Sequence, residues 1–244
     1  MTVYVSKYEG RLGHEEKLIW QYCTVEGVKC KSFDPNLYAS GKVNLDNPSL
    51  IVGSVETLTR YFENVGIEPP ASNDYPASLK KYLHRNIHHT TLHNLQGAMF
   101  PIFIKPASLK LFTGRVFSSI DEIKMLANIS DRTGLITSSL VDWVSEWRFY
   151  IHDGELISED CYAGDPNRLP DRAVIKDAIR CIVNDKHLPN TCTVDFGILS
   201  SGETALIEWN DAWAIGAYSD ISYRRYFLLL KSRWDDIHNS LFPK

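Results

Sequence analysis

Two short strand-like runs near the C-terminus constrain this sequence more than any other feature. The first carries Asp195, the second carries Glu208 and Asn210, and the turn residues Ser200-Ser201-Gly202 lie between them. If the two runs pair as antiparallel strands, Asp195 and Glu208 can lie side by side. Asn210 follows Glu208 by two residues, so its side chain points to the same face of the sheet.

Two carboxylates and an amide oxygen on one face of a sheet form a hard oxygen site. Mg²⁺ prefers such ligands, and it usually keeps water or phosphate oxygens in its remaining positions. The alternative is purely structural, with an aspartate at a strand start, a glutamate facing solvent and an asparagine in a turn. The residues of these two runs do not by themselves decide between a metal site and ordinary sheet structure.

Composition and charge exclude several classes of protein. The 244 residues suffice for one large domain or for two to three small lobes, and the net charge of −4 gives no basic excess for nucleic-acid binding. No apolar run approaches the roughly 18 residues of a membrane span, and the N-terminus lacks the basic start and apolar core of a signal peptide. The five cysteines are scattered without a CxxC pair, so we expect free thiols in the cytoplasm.

Alternating strand and helix signals in the first third predict a small parallel α/β sheet. The strand-like runs are Thr2–Val5, Val28–Phe33 and Leu50–Val52. Helix-like segments are Glu15–Cys23 and the stretch that Ser54 would cap. The polar residues around Pro69-Pro70 are typical of a linker.

A polar segment from Pro76 to about Gln96 is compatible with a helix, because Leu79, Leu83 and Ile87 would form one apolar stripe. It also holds four histidines: His84, His88, His89 and His93. His84 and His88 would share a helix face as a zinc pair, but no third ligand is evident and a solvated polar helix is the better interpretation. Arg85 or one of these histidines could line a substrate cleft.

Strand signals dominate from Phe100 onward. We predict strands at Pro101–Lys105, Leu111–Phe117 and Gly134–Thr137, and a hairpin around Asp153-Gly154. A capping box from Ser119 to Glu122 predicts a short helix. Longer helices are predicted at Asp171–Lys186 and Tyr223–Leu241.

Two basic residues on these strands are candidates for binding an anion. Lys105 ends an apolar strand, where a lysine either pairs with a carboxylate or holds a phosphate as a point charge. Arg148 shares a strand face with Glu146, while Trp147 and Phe149 share the other face. This face either lines a ligand cleft or carries a structural Glu–Arg pair.

Taken together, these residues resemble the ATP-grasp superfamily. The order is lysine, Glu-x-Arg, aspartate and Glu-x-Asn, carried by FIKP (103–106), EWRFYI (146–151) and VDFGILSSGETALIEWN (194–210). The last run is similar to the metal-binding strands of D-alanine–D-alanine ligase and glutathione synthetase. The compact size resembles the short ATP-grasp proteins of phages and bacteria.

The resemblance implies an α/β (α+β) fold with two lobes around a nucleotide cleft, preceded by a small α/β lobe. It divides the chain into an N-terminal lobe at 1–72, a helical or linker segment at 73–99, a central lobe at 100–141 and a C-terminal lobe at 142–244. Carried over residue by residue, it also implies a ligand set. Lys105 would contact the α- and β-phosphates, Glu146 the ribose, and Arg148 the phosphates. The hinge that meets adenine would be Ser139, Leu140, Val141 and Asp142; the ligands of one or two Mg²⁺ ions, with Mn²⁺ possible, would be Asp195, Glu208 and Asn210.

The sequence departs from the family pattern at three points. Lys110 and Arg115 compete for a second phosphate contact, and Arg115 is favoured because Gly114 would let its strand approach a phosphate. Thr193 stands where some ligases have an arginine. The glycine-rich phosphate loop is weak, with Gly114 as its one glycine.

The implied activity joins a carboxylate to an amine. ATP would convert the carboxylate to an acyl phosphate, and an amine from an amino acid, a peptide or a protein terminus would then displace the phosphate. Alternatives are a kinase that uses the same ATP site and a non-catalytic ATP-binding module that acts through a partner. Arg168 or Arg172 could reach a substrate carboxylate.

Overall fold

A computed structural model describes residues 1–107 and 111–239 of the chain. Within these ranges, three separate β-sheets with flanking helices form the fold, which confirms the predicted mixed α/β class. Among the same described residues, no helix is both long and apolar enough to cross a membrane.

The N-terminal sheet is parallel, with the strand order β2-β1-β3, as the alternating signals predicted. Its elements are β1 (Thr2–Ser6), α1 (His14–Val25), β2 (Lys29–Phe33), α2 (Pro35–Ala39), β3 (Leu50–Val52) and α3 (Val55–Asn64). The Ser54 hydroxyl accepts a hydrogen bond from the Thr57 amide at 3.3 Å, so the predicted cap starts α3.

The central sheet is antiparallel, with the strand order β4-β7-β5-β6. Its elements are β4 (Ile87–Thr91), β5 (Ile102–Pro106), β6 (Arg115–Phe117), α4 (Ile120–Lys124) and β7 (Gly134–Ser138). The strand predicted from Leu111 to Phe117 is therefore shorter than expected. Ser119 caps α4 as predicted, accepting from the Glu122 amide at 3.4 Å.

The helix considered for residues 76–96 is wrong. Short 3₁₀ turns occupy Ala77–Tyr82 and His93–Leu95, and the edge strand β4 lies between them. His84 has a positive φ of 48°, so it ends any helical geometry before His88. All four histidines are exposed, and His84 and His88 do not share a helix face. The segment assigned to a linker thus supplies a strand of the central sheet.

The C-terminal sheet is antiparallel, with the strand order β11-β10-β8-β9. Its strands are β8 (Trp143–His152), β9 (Glu155–Gly164), β10 (Cys192–Leu199) and β11 (Thr204–Asp211), and helix α5 (Arg172–Asn184) packs against it. Asp153 and Gly154 both have positive φ, 48° and 78°, which confirms the predicted tight turn between β8 and β9. Asp171 accepts from the Ala173 amide at 2.7 Å and caps α5.

The last helix, α6 (Tyr223–Asn239), joins the core of the N-terminal sheet rather than that of the C-terminal sheet. Its buried side chains include Tyr226, Leu230 and Trp234, which share one apolar cluster with Ile19 and Phe62. Residues at the end of the chain therefore complete the core that begins at residue 3, and the covering of the N-terminal lobe is long-range.

Candidate active site

The β10–β11 hairpin places the acidic side chains as the sequence predicted. Asp195 is the direct partner of Glu208 across the ladder, and on its other side Asp195 pairs with Arg148 of β8. Asn210 lies on the same face, and its amide Nδ2 donates to Glu208 Oε1 at 3.0 Å. Three neighbouring strands therefore bring Arg148, Asp195 and Glu208 into one row.

Arg148 and Asp195 form a buried bidentate ion pair. The Nε and Nη2 groups of Arg148 donate to the two carboxylate oxygens at 2.9 Å and 2.7 Å, and Nη1 donates to the carbonyl of Gly216 at 3.2 Å. The guanidinium also lies 4.9 Å from the ring centroid of Tyr218. Burial raises the pKa of the Asp195 carboxyl to about 6, while its bonds to Arg148 oppose that rise. Arg148 is thus committed to Asp195, which it holds in place.

Lys105 lies between two carboxylates. Its ammonium nitrogen is 2.7 Å from Asp74 Oδ2 and 3.0 Å from Glu208 Oε2, and only 12 % of its side chain is exposed. Burial acts to lower the pKa of Lys105, but the charges of Glu208 and Asp74 outweigh it and raise the pKa above its ordinary value. The pKa of Glu208 is lowered, because Lys105 and the Asn210 hydrogen bond outweigh its burial. Both groups are charged at neutral pH.

A cleft of about 380 Å³ opens beside Lys105, between the central and C-terminal sheets. Its lining combines apolar and aromatic side chains with a few charged groups, as ligand sites usually do. The lining residues are Tyr75, Arg85, Phe103, Lys105, Gly114, Val116, Ser138, Ser139, Leu140, Val141, Trp143, Glu146, Ile207 and Glu208.

The connection from β7 to β8 forms the end of this cleft. Ser139, Leu140 and Val141 line it, whereas Asp142 does not. The Ser139 amide donates to the carbonyl of Asn86 at 3.1 Å, and its hydroxyl accepts from the Asn86 amide. The carbonyl of Asp142 accepts from the Ser200 amide at 2.9 Å. Structural bonds at both ends of the connection therefore leave Leu140 and Val141 as its best-placed main-chain groups for a ligand.

Glu146 is held by a tyrosine that the sequence analysis did not single out. The Tyr162 hydroxyl donates to Glu146 Oε2 at 3.1 Å, and the Tyr162 ring stacks on Tyr218 with centroids 4.7 Å apart. Burial raises the pKa of Glu146, and the Tyr162 hydrogen bond opposes that effect. One carboxylate oxygen is engaged by Tyr162 while Glu146 still lines the cleft.

The structure does not bring Arg115 into the cleft lining. Arg115 is exposed, with its guanidinium 4.8 Å from the centroid of the Phe117 ring. Gly114 does line the cleft, and a Cβ there would lie 2.9 Å from both Lys105 Cβ and Phe103 Cζ. The glycine thus permits a close approach of β6 to β5. Lys110, the other candidate, lies outside the described residues.

Two arginines proposed for a substrate carboxylate have structural surroundings. Arg172 forms an ion pair with Glu159. Arg168 is exposed, and its carbonyl accepts from the Ser145 hydroxyl at 2.6 Å and from Trp147 Nε1 at 3.1 Å. Its side chain remains available to solvent beside β8.

Asp74 and Tyr75 were missed as site residues, and Arg85 was named only as a possible lining residue. Asp74 binds Lys105, and the Tyr75 ring centroid lies 4.6 Å from the same ammonium. Asp74 and Tyr75 stand in a polar stretch that gives no local signal beyond that of a loop. Only the path of this segment across β11, where the Trp209 amide donates to the Asp74 carbonyl at 2.9 Å, reveals their place.

The donor set at the hairpin fits a magnesium ion. Asp195, Glu208 and the side-chain carbonyl of Asn210 offer only oxygen atoms, two of them from charged carboxylates. Among the described residues, no group of three or more His, Cys, Asp or Glu side chains forms a complete metal cage. A metal here would therefore need ligands from elsewhere, such as water and phosphate oxygens.

Comparison with known proteins identifies the family. The model of an ATP-grasp domain family, the second family of its clade, matches residues 82–227, which is more than half of the chain. The chain belongs to this ATP-grasp family. The matched range contains Lys105, Glu146, Arg148, Asp195 and Glu208, whereas Asp74 and Tyr75 lie before it. No curated protein sequence matches the chain significantly.

Solved structures share the ATP-grasp fold with this chain at low identity. N5-carboxyaminoimidazole synthetase from Staphylococcus aureus superposes with a TM-score of 0.61 at 13 % identity, covering 95 % of this chain and 77 % of that one. The D-cycloserine synthetase DcsG gives 0.59 at 13 %, covering 96 % and 100 %. D-alanine–D-alanine ligase from Bacillus anthracis gives 0.53 at 14 %, covering 98 % and 99 %. The predicted ATP-grasp architecture is confirmed, and the kind of enzyme that such folds support is a carboxylate–amine ligase.

Proposed function

We propose that this protein is an ATP-dependent ligase that joins a carboxylate to an amine. The carboxylate oxygen attacks the γ-phosphorus of ATP, which gives an acyl phosphate and ADP. The amine then attacks the acyl carbon, and an amide forms with release of phosphate. The observation that supports this most directly is the convergence of Lys105 with the Asp195–Glu208–Asn210 face at one wall of the cleft.

The lining of the cleft suggests how a nucleotide would lie. The main chain of Leu140 and Val141 would meet adenine, and Glu146 would accept hydrogen bonds from the ribose hydroxyls. The phosphates would then extend toward Lys105, whose fixed positive charge suits them. Arg115 and Lys110 remain proposals for a second basic contact.

Asp195, Glu208 and Asn210 would hold one or two Mg²⁺ ions, with Mn²⁺ as a substitute. When bound, the metal would neutralise the charge that develops on the transferring phosphoryl group. Arg148 would serve the reaction mainly by holding the Asp195 carboxylate. A direct contact of Arg148 with phosphate would require its Nη1 group to leave the Gly216 carbonyl.

The substrates are proposed by chemical class. One is a carboxylate, and the other is an amine from an amino acid, a peptide or a protein terminus. Structural neighbours act on such compounds, among them the macrocyclase MdnC from Microcystis aeruginosa, whose structure contains its precursor peptide. The N-terminal lobe, residues 1–72, would contribute to the acceptor site. The five free thiols are consistent with a reducing, cytoplasmic location.

An ATPase assay with pools of amino acids and peptides tests the proposal. We expect Mg²⁺-dependent release of ADP that is stimulated by the correct pool, and mass spectrometry should detect an amide product. Hydroxylamine added in place of the amine should trap a hydroxamate, because it attacks an acyl phosphate. A stable phosphoester would instead identify a kinase, and nucleotide binding without turnover in any pool would favour a binding module.

A further inference from the structure

Strand β11 contains one extra residue immediately before Glu208. Asp195 pairs with Glu208, but the next residue of β10, Phe196, pairs with Leu206. Ile207 therefore has no partner in β10 and forms a β-bulge. A bulge bends its strand and re-aims the adjacent side chains, so the bulge at Ile207 helps to set the direction of Glu208.

Arg85 binds the main chain of this bulge. Its Nη2 group donates to the Ile207 carbonyl at 2.8 Å, and Nη1 donates to the Leu206 carbonyl. Nη1 also donates to the Leu83 carbonyl at 3.1 Å, which ties the bulge to the segment that precedes β4. One guanidinium thus satisfies both carbonyls at the irregular step of β11.

Aromatic rings fix the guanidinium of Arg85 in this position. Its central carbon lies 5.4 Å from the ring centroid of Trp143 and 5.9 Å from that of Tyr75. Such cation–π contacts add to the hydrogen bonds and restrict the side chain. Arg85 is thereby held against β11 by three carbonyls and two rings.

We propose that Arg85 is a positioning residue that fixes the Ile207 bulge and through it aims the Glu208 carboxylate at Lys105 and the metal. This inference rests on the proposed function, because it assigns Glu208 to a metal that accompanies the nucleotide. Arg85 acts on the metal through the main chain of its ligand's neighbour. Removal of such supporting groups typically lowers metal affinity about 10- to 100-fold.

Two binding measurements on the full chain separate this role from direct contact with nucleotide. Electron paramagnetic resonance measures Mn²⁺ binding in the presence of saturating ADP, and calorimetry in EDTA measures ADP binding without metal. For Arg85→Ala we expect Mn²⁺ affinity to fall by about tenfold or more, with metal-free ADP affinity nearly unchanged. Arg85→Lys should lie between Arg85→Ala and the wild type, because an ammonium can bind a carbonyl but cannot span both.

Chemical rescue supplies a readout that a general loss of stability would not give. Millimolar guanidinium ion should restore part of the Mn²⁺ affinity of Arg85→Ala, because the free ion can occupy the vacated position. It should have no such effect on Glu208→Gln, in which the carboxylate itself is absent. If Arg85→Ala does not fold, Arg85→Lys carries the comparison.

Arg233→Ala is the matched control. Arg233 also clamps β11, through two bonds of 2.7 Å to the Asp211 carboxylate, but it does not touch the bulge. Its loss should leave Mn²⁺ affinity unchanged. The inference is overturned if Arg85→Ala retains wild-type Mn²⁺ affinity, if metal-free ADP affinity falls equally, or if Arg233→Ala has the same effect. A wild-type protein that binds neither ADP nor Mn²⁺–ADP would instead refute the proposed function, and the inference with it.

Discussion

The Lys105 ammonium lies 2.7 Å from the carboxylate of Asp74, a residue of the segment between the N-terminal and central sheets. Glu208 holds the same ammonium at 3.0 Å, so one cation faces two anions. A polyphosphate that approaches Lys105 would meet this excess negative charge. Asp74 therefore competes with phosphate for the lysine in the unliganded protein.

Asp74→Asn should tighten the binding of ADP. Removing one negative charge near the phosphate position should favour a polyanion by about 1 kcal/mol, or roughly fivefold in Kd. Calorimetry with and without Mg²⁺ measures the change. Asp121→Asn, which removes an exposed acid from the first turn of α4, is the matched control. Weaker binding by Asp74→Asn would show that Asp74 orients Lys105 for the ligand.

Lys105→Met should weaken ADP binding, because it removes the buried cation that lies beside the cleft. Hydrogen bonds to charged groups contribute about 1.5–3 kcal/mol, so we expect Kd to rise by one to two orders of magnitude. Lys81→Met provides the comparison, since Lys81 is an exposed lysine paired with Asp177. Equal affinities for the two variants would remove Lys105 from the phosphate site.

Glu208→Gln should abolish Mg²⁺-dependent ATP turnover and leave the fold intact. The partly exposed glutamine keeps nearly the same shape but carries no charge for the metal. Turnover is followed by ADP release, and circular dichroism checks folding. Normal turnover in this variant would refute the metal assignment.

Asp195→Asn is expected to abolish turnover as well, but it should also destabilise the protein. The substitution leaves the buried guanidinium of Arg148 without its carboxylate, and breaking a buried ion pair in this way costs about 3–5 kcal/mol. Urea unfolding of Asp195→Asn and Glu208→Gln should therefore separate the two variants. Equal stability would mean that Arg148 finds another partner.

Tyr162→Phe should reduce the preference for ATP over 2′-deoxyATP. The Tyr162 hydroxyl fixes Glu146 Oε2, and a fixed carboxylate distinguishes a ribose hydroxyl better than a mobile one. Competition binding with the two nucleotides measures the ratio. Tyr223→Phe, at the start of α6, serves as a control on the other side of the fold. An unchanged ratio would detach Glu146 from ribose recognition.

The Asp177 carboxyl should titrate with a pKa of about 2, below its ordinary value, because Lys81 and Tyr82 donate hydrogen bonds to it. Its contribution to stability is therefore present above pH 3.8 and is lost as the pH falls toward 2. Carbon-13 NMR measures the pKa directly. Lys81→Met should raise it toward 3.8, whereas Lys80→Met, which changes the neighbouring exposed lysine, should not.

The alternation of polar and apolar residues was enough to predict how the acidic hairpin is built. Asp195 and Glu208 stand on strands whose period of two fixes the face of every side chain, and the turn between them fixes their pairing. Caps at Ser54, Ser119 and Asp171 are equally local, since each side chain bonds a main-chain amide within three residues. These features depend on neighbours in the chain, and the sequence alone determines them.

The tertiary structure decided the contacts that join distant segments. The apolar stripe of residues 76–96 suggested a helix, but pairing with β7 made Ile87–Thr91 a strand. Asp74 reaches Lys105 and Arg85 reaches Ile207 only because three sheets meet at the cleft. Helix α6 covers a core that starts more than 200 residues earlier. Such contacts depend on which surfaces pack together, and no local pattern of residues encodes that choice.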